Sequence, residues 1–300
     1  MSCNFPVRAY RSRAGKNPET GKWPLASSPK DGFEDLPVIR PCGKCIGCRL
    51  DRTRNNAIRA MHESEMHDRS SFLTLTYDDA NLPYNEGSIY PTLLKRDLTL
   101  FIKRLRKYLE PNKIRKYGCG EYGDATQRPH YHLLLFGEDF AFDRELFSPG
   151  RDPLYTSATL TDLWGHGHAV IGDISFDSAA YVAGYCLKKF NGQMAVQEYD
   201  DLMRDPPFVV YPINPGLGGD WFDQFSGDIY NHDSVNFKGH KCKPPRYYDQ
   251  LFERQGGDLA SVLRRRAVIA ERRLNNNIVA SGATKEIVAN AKMSKKSQKL

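Results

Sequence analysis

An α+β fold is predicted by three stretches of the chain. "SFLTLTYDD" (71–79) is rich in β-branched and aromatic residues and stops at Asp-Asp, which reads as a strand. "TLLKRDLTLFIKRLRKYLEP" (92–111) places Leu94, Leu98, Phe101, Ile102, Leu105 and Leu109 on one helical stripe, and Pro111 ends it. "KIRKYGCGEYG" and "HYHLLLFG" are strand-like runs separated by the turn "DATQRP", so they are expected to pair as an antiparallel hairpin.

The remaining elements follow in order. Residues 1–41 mix Pro, Gly, Ser and charge with little periodicity and read as irregular. Leu50, Ala57, Ile58 and Met61 recur at helical spacing, which predicts a helix from about Gly47 to Met66. "LTDLWGHGHAVIGDIS" predicts a short helix and then a strand over Ala169–Ile174. "FDSAAYVAGYCLKKFNG" predicts a helix ending at Asn191-Gly192. From 193 to 245 the signal is poor; two helical pieces then follow, broken at Gly256-Gly257. The last fifteen or so residues are polar and basic and are expected to be disordered.

Composition sets the class of partner. Apolar residues make up 40% and charged residues 26%, ordinary for a folded soluble chain. No apolar run reaches the roughly 18 residues that span a bilayer, and "MSCNFPVRAY" lacks the apolar core of a secretion signal, so an intracellular protein without a membrane is expected. The net charge is +7, but Ser261–Leu300 alone carries ten Lys/Arg against two Glu. Lys95–Lys116 holds nine basic residues against Asp97 and Glu110. Local concentrations of this kind suit a polyanion bound at particular surfaces, and equally a solvated helix face with a basic tail.

The chemistry concentrates in three places. In "RPHYHLLLFG", His130 and His132 project to one side of a strand, about 6–7 Å apart at Cα, close enough for one metal ion to bridge the rings. Glu121 lies nine residues earlier and falls beside His130 if the hairpin turns near Thr126. One carboxylate and two imidazoles leave open metal positions, which suits a catalytic Mg²⁺ or Mn²⁺, with Zn²⁺ also accepted. His166 and His168 repeat the spacing, but flanking glycines and the lack of a matching Glu mark them as loop or strand-edge residues.

In "YVAGYCLKK", Tyr181, Tyr185 and Lys188 share one helical face. A packing stripe with a snorkelling lysine is one reading. The other is chemical: a phenolate stabilised by an ammonium can attack a phosphodiester, and two phenols allow two successive transfers. Finally, Cys42, Cys45 and Cys48 form C-x2-C-x2-C, and Cys3 can supply the fourth ligand of a structural Zn²⁺. The same spacing admits an iron–sulfur cluster or three reduced thiols.

"FLTLTYDD", "RPHYHLLLFG" and "YVAGYCLKK", in that order, resemble the three motifs of the HUH endonuclease superfamily, which initiates rolling-circle replication. The two-tyrosine pattern, with "MSC" and "PCGKCIGCR", is similar to the replication initiators of gokushoviruses within the Microviridae. The likeness spans roughly residues 1–190. It implies a central antiparallel sheet of about five strands with packed helices, and irregular N-terminal and helical C-terminal extensions. The implied segments are 1–69, a Cys-rich stretch and basic helix packed on the core; 70–195, the nuclease core; and 196–300, a C-terminal extension with a basic disordered tail. It further implies metal ligation by His130 and His132, and nucleophilic Tyr181 and Tyr185.

The activity implied is nicking of a single-stranded phage DNA origin, a 5′-phosphotyrosine link and religation, in the cytoplasm of an infected bacterial host. Host helicase and replication proteins would be partners. Basic residues expected on the DNA are Arg49, Arg52, Lys103, Arg104, Lys107 and Lys189. A non-catalytic metal-stabilised DNA- or RNA-binding regulator, or a transposase or relaxase of the same superfamily, are the alternatives.

Overall fold

The computed structural model describes residues 3–18, 23–123, 125–188, 197, 199–237, 239–275 and 281–297; for 36, 185–188, 240, 270–275 and 293–297 only the backbone is described. The strands are β1 (Val7–Ser12), β2 (Leu25–Ala26), β3 (Gly32–Arg40), β4 (Ser70–Tyr77), β5 (Arg115–Tyr122), β6 (Pro129–Phe136), β7 (Arg144–Ser148), β8 (Leu154–Ser157), β9 (Gly167–Asp173), β10 (Phe208–Val210), β11 (Val235–Phe237) and β12 (His240–Cys242). The helices are α1 (Ile46–Glu65), α2 (Lys95–Leu109), α3 (Ala158–Trp164), α4 (Phe176–Lys188), α5 (Gly219–His232), α6 (Arg246–Arg254), α7 (Leu259–Asn275) and α8 (Gly282–Ser297). Contacts divide the chain into two units, Arg52–Val262 and Met1–Asp51 with Leu263–Leu300. No helix among the described residues is long and apolar enough to cross a membrane.

The fold is α+β. In the larger unit an antiparallel sheet runs in the order β10-β5-β6-β4-β9-β8-β7. It has seven strands, against the five or so expected. The short strand β10 and the edge strand β7 account for the difference, and neither has a long alternating run to announce it.

Period-two alternation sends two sets of side chains to opposite faces of the sheet. Leu73, Leu75, Tyr77, Tyr131, Leu133, Leu135 and Ile171 meet the predicted α2 stripe and Leu160 and Trp164 of α3. Each fully buried side chain of that size contributes about 1.5–3 kcal/mol. On the other face Tyr117, Cys119, Leu134 and Phe136 meet Ala57 and Ala60 of α1 and Ala179, Val182 and Ala183 of α4. The small alanines let both helices lie close to the sheet.

Tyr131 explains itself on the α2 face. The residue before α2, Leu94, has no side-chain cap. Its N–H donates to Tyr131 Oη at 3.1 Å; Tyr131 Oη lies 2.7 Å from Tyr77 Oη, which donates to Asp97 at 2.8 Å. Burial pushes both phenols above their ordinary value.

Three expectations are corrected. Residues 1–41 are not irregular throughout: β1, β2 and β3 form a three-stranded sheet in the order β2-β1-β3. Pro37 weakens the strand signal there, but β3 is an edge strand, where a missing N–H costs nothing. The poorly marked stretch before Pro245 contains α5, whose Phe222, Ile229 and Tyr230 are buried against Ile58, Tyr248 and Val262. The basic tail expected to be disordered forms α8, built from good helix formers such as Ala, Lys and Glu.

His62 of α1 lies in the α5 cluster. Its ring stacks on Trp221 at 3.5 Å between centroids, and its Nδ1 lies 2.9 Å from Tyr248 Oη. Only 2% of the residue is exposed, and burial lowers its pKa from the ordinary 6.5 to about 4. Between those values the unfolded chain takes up a proton that the folded chain refuses. We therefore predict that stability falls as pH drops from about 6.5 to 4, by up to about 3 kcal/mol from this residue. Urea unfolding of wild type and His62→Gln at pH 7 and pH 5 checks this: the loss should be smaller in the variant, and an equal loss in both would reject it.

Candidate metal centre and tyrosine helix

Register decides which side chains meet. Between β5 and β6, Glu121 stands opposite His130 and Cys119 opposite His132. Between β4 and β6, Thr76 stands opposite His130 and Thr74 opposite His132. Residues of one row share a face, so the expected hairpin brings the carboxylate and both imidazoles together on the α1/α4 side.

Glu121 Oε1 lies 3.2 Å from His130 Nε2 and 3.2 Å from His132 Nε2. One ligand atom from each residue lies within 4.8 Å of the others, so the group can hold a metal ion. Glu121 Oε2 is buried and has no hydrogen-bond partner. Such an orphaned oxygen costs about 1–3 kcal/mol or more, and a cation would satisfy it. The donor set therefore fits a divalent metal.

The far sides of the rings are held. His130 Nδ1 lies 3.1 Å from the Arg128 carbonyl, and His132 Nδ1 lies 3.1 Å from Thr74 Oγ1. With Nδ1–H donating to each oxygen, both Nε2 atoms point at the centre, the usual support of a metal-binding imidazole. Burial raises the Glu121 pKa, but hydrogen bonds from His130 and His132 outweigh it and hold the carboxyl below its ordinary value. Burial lowers His132. An ionised carboxylate beside a neutral imidazole is the ligand-ready state.

Tyr181 lies on α4, above this row. Its ring meets the His132 ring edge-on at 5.1 Å and the Phe72 ring at 6.3 Å, while 37% of the residue stays exposed. Tyr185 and Lys188 belong to the same helix, but their side chains lie outside the described residues, as does all of Lys189 and the expected helix end at Asn191-Gly192.

Several residues escaped the sequence reading. Thr74 could have been found by pairing "SFLTLTYDD" with "HYHLLLFG". Arg204 had no signal: its guanidinium donates to the carbonyls of Gln127 (2.7 Å) and Pro91 (2.9 Å) and lies 3.6 Å over the Tyr122 ring, pinning the β5–β6 turn. His166 precedes β9 and His168 is its second residue, paired with Thr76, so His168 occupies the row of His130 one strand further on. Neither belongs to a metal-holding group among the described residues.

Of the basic residues expected on DNA, Lys103, Lys107 and Arg52 are exposed and Arg49 is half-buried. Arg104 instead donates to the carbonyls of Leu163 and Trp164, both at 2.8 Å, closing the end of α3.

In the smaller unit the Sγ atoms of Cys3, Cys42, Cys45 and Cys48 lie within 4.8 Å of one another. Cys3–Cys45 are 3.8 Å apart and Cys42–Cys48 4.0 Å, far beyond a disulfide. Backbone N–H groups of Cys42, Cys45 and Asn4 donate to the sulfurs of Cys3, Cys42 and Cys45. Burial raises the Cys45 thiol, yet the N–H groups of Asn4 and Cys48 and the neighbouring thiols bring it down to about 6. This group too can hold a metal.

Residues 70–190 match a family of replication-associated proteins, described under the name ORF2. The chain is 35% identical over 265 residues to "Replication-associated protein VP4" of Bdellovibrio phage phiMH2K, covering 85% of this chain and 78% of that one. It is 33% identical over 289 residues to "Replication-associated protein ORF2" of Spiroplasma virus 4, covering 91% and 88%. It is 29% identical over 242 residues to "Replication-associated protein ORF4" of Chlamydia phage 1, covering 77% and 58%. No solved structure matches.

Thr74 generates a direct prediction. Thr74→Val removes only the hydroxyl that orients His132, and should weaken Mn²⁺ binding about 10–100-fold. Calorimetric titration with Mn²⁺ measures it; unchanged affinity would show that Thr74 does not orient the ring.

Proposed function

Because the chain belongs to the family of phage replication-associated proteins, we propose that it initiates rolling-circle replication as a metal-dependent single-strand DNA endonuclease and strand transferase. The observation that carries this reading is the half-exposed Tyr181 ring set 5.1 Å from the His132 ring, beside the buried Glu121–His130–His132 group. A nucleophile, a place for a cation and an open face are what phosphodiester transfer needs.

Glu121, His130 and His132 hold Mg²⁺ or Mn²⁺, which when bound withdraws charge from the scissile phosphate. The tyrosine gives up its phenolic proton, and its Oη forms a bond to phosphorus. The bond from phosphorus to O3′ breaks, and the electron pair leaves on O3′, which takes a proton. The products are a 5′-phosphotyrosine and a free 3′-OH. Bond count is conserved, so a 3′-OH can reverse the step and rejoin strands. Tyr181 and Tyr185 serve as the two nucleophiles, and Lys188 stabilises the phenolate. The nuclease core is the 70–195 segment. The substrate is a single-stranded phage origin in the host cytoplasm, with host helicase and replication proteins as partners. Arg49, Arg52, Lys103, Lys107 and Lys189 contribute phosphate contacts.

The four thiolates belong to the same reading as a structural Zn²⁺ site. A zinc tetrahedron with sulfur at about 2.3 Å has edges of about 3.8 Å, and the two Sγ separations given above are 3.8 and 4.0 Å.

The test is incubation with labelled single-stranded origin DNA and Mn²⁺, denaturation, and mass mapping of the adducted peptide. An adduct on Tyr181 or Tyr185 is expected. His130→Ala with His132→Ala should abolish it while sparing much DNA binding. Tyr181→Phe and Tyr185→Phe should each leave some nicking and impair circle closure, the double variant should form no adduct, and Lys188→Ala should slow transfer about tenfold or more. No adduct in wild type would leave the non-catalytic regulator as the reading. Full nicking by the double histidine variant would sink the site assignment.

A further inference from the structure

Glu286 of α8 lies far along the chain from the cysteines, yet its carboxylate touches the residues next to two of them. Oε2 accepts from Asn4 Nδ2 at 2.7 Å, and Oε1 accepts from the backbone N–H of Ile46 at 3.2 Å. Asn4 follows Cys3, and Ile46 follows Cys45. Asn4 N–H in turn donates to Cys45 Sγ at 3.3 Å. One carboxylate therefore bridges the two backbone segments that the cysteine group joins.

Two further features serve the same joint. Ile46 is the first residue of α1, whose first turn contains no acidic residue, so Glu286 supplies the negative charge that a helix start favours. At Gly282, the first residue of α8, a Cβ would collide with the Asn4 carbonyl and stand 3.0 Å from the Phe5 ring. Only glycine permits that approach. The buried apolar cluster around the joint consists of cysteines alone: Cys3, Cys45 and Cys48, with Cys42 against them. Residues 3–5 and 42–46 thus have no hydrophobic core to hold them together, and a shared metal supplies the cross-link.

We propose that the metal at Cys3, Cys42, Cys45 and Cys48 fastens the basic C-terminal helix: it aligns Asn4 and Ile46 into a receptor for Glu286, so that α8 is docked when the thiolates are loaded and released when they are empty. The inference rests on the Zn²⁺ reading above. It makes the presentation of the chain's most basic segment, Ser261–Leu300, dependent on metal occupancy.

The test uses the full chain, Cys42→Ser and Glu286→Ala, each first exchanged with Co²⁺. Thiolate-to-cobalt charge-transfer absorption reports sulfur ligation, which the histidine–carboxylate group does not give. Trypsin cleavage after Lys292 reports release, since cleavage follows the population of the open form. The expected result is a charge-transfer band in wild type and Glu286→Ala and none in Cys42→Ser, with cleavage about tenfold faster in both variants than in wild type. Absence of the band in wild type would overturn the metal reading itself. A band in wild type with equal cleavage in Cys42→Ser would leave the metal and overturn the fastener. A band with wild-type cleavage in Glu286→Ala would show that the carboxylate is not the link.

Discussion

The register of three neighbouring strands is the constraint on which the rest depends. Side chains in a strand alternate, so slipping β6 by one residue would send His130 and His132 into the α2 core and bring Tyr131 onto the α4 side. The slip is opposed by what lies on the α2 side: Tyr131, Leu133 and Leu135 are all fully buried there, and Tyr131 also ties down the start of α2. β5 is held from its other edge. A Cβ at Gly120 would stand 2.9 Å from the Phe208 ring of β10 and 3.0 Å from the Tyr131 ring, so a larger residue would disturb both neighbours. The apolar face therefore positions the polar one, and a buried carboxylate can be kept between two imidazoles because it has nowhere else to go.

Elements whose pattern and packing agree were legible. β4, α2 and the β5–β6 hairpin each carry their own periodicity, and Glu121 could be placed opposite His130 by counting across a turn. What the sequence hid was set by distant partners. Arg204 closes on Gln127 and Pro91, residues 77 and 113 positions away. Glu63 is buried and receives Arg115 Nε at 2.5 Å and Gly218 N–H at 2.6 Å, joining α1 to β5 and to the turn before α5. Removing one partner of such a buried pair costs about 3–5 kcal/mol, yet no local pattern distinguishes it from a solvated glutamate. The β1–β3 sheet and α8 were missed for a related reason: proline, charge and low hydrophobicity argue against order locally, and the contacts that overrule them come from elsewhere in the chain.

The two metal-holding groups differ in chemical hardness. Oxygen and imidazole nitrogen suit a hard or borderline cation with exchangeable positions, whereas four sulfurs suit a softer, closed shell. They also differ in what surrounds them. The histidine–carboxylate group is built on regular strands, fixed by a sheet that would form without it. The cysteines sit among short irregular segments, where hydrogen bonds to sulfur replace a ladder. A chain with both has one centre that inherits its geometry from the fold and another that gives geometry to the fold.

The face-to-face placement of Trp221 on His62 has an optical consequence. An excited indole loses emission to an adjacent imidazolium far more readily than to neutral imidazole, and burial keeps His62 neutral to about pH 4. Trp164 sits elsewhere, in the α2/α3 core, edge-on to His166 at 5.0 Å. The native emission of the chain is therefore built from separate reporters, one of which sits beside a base that takes up its proton only in strong acid, so the light from α5 and the light from the sheet core can dim at different points as the solution is acidified.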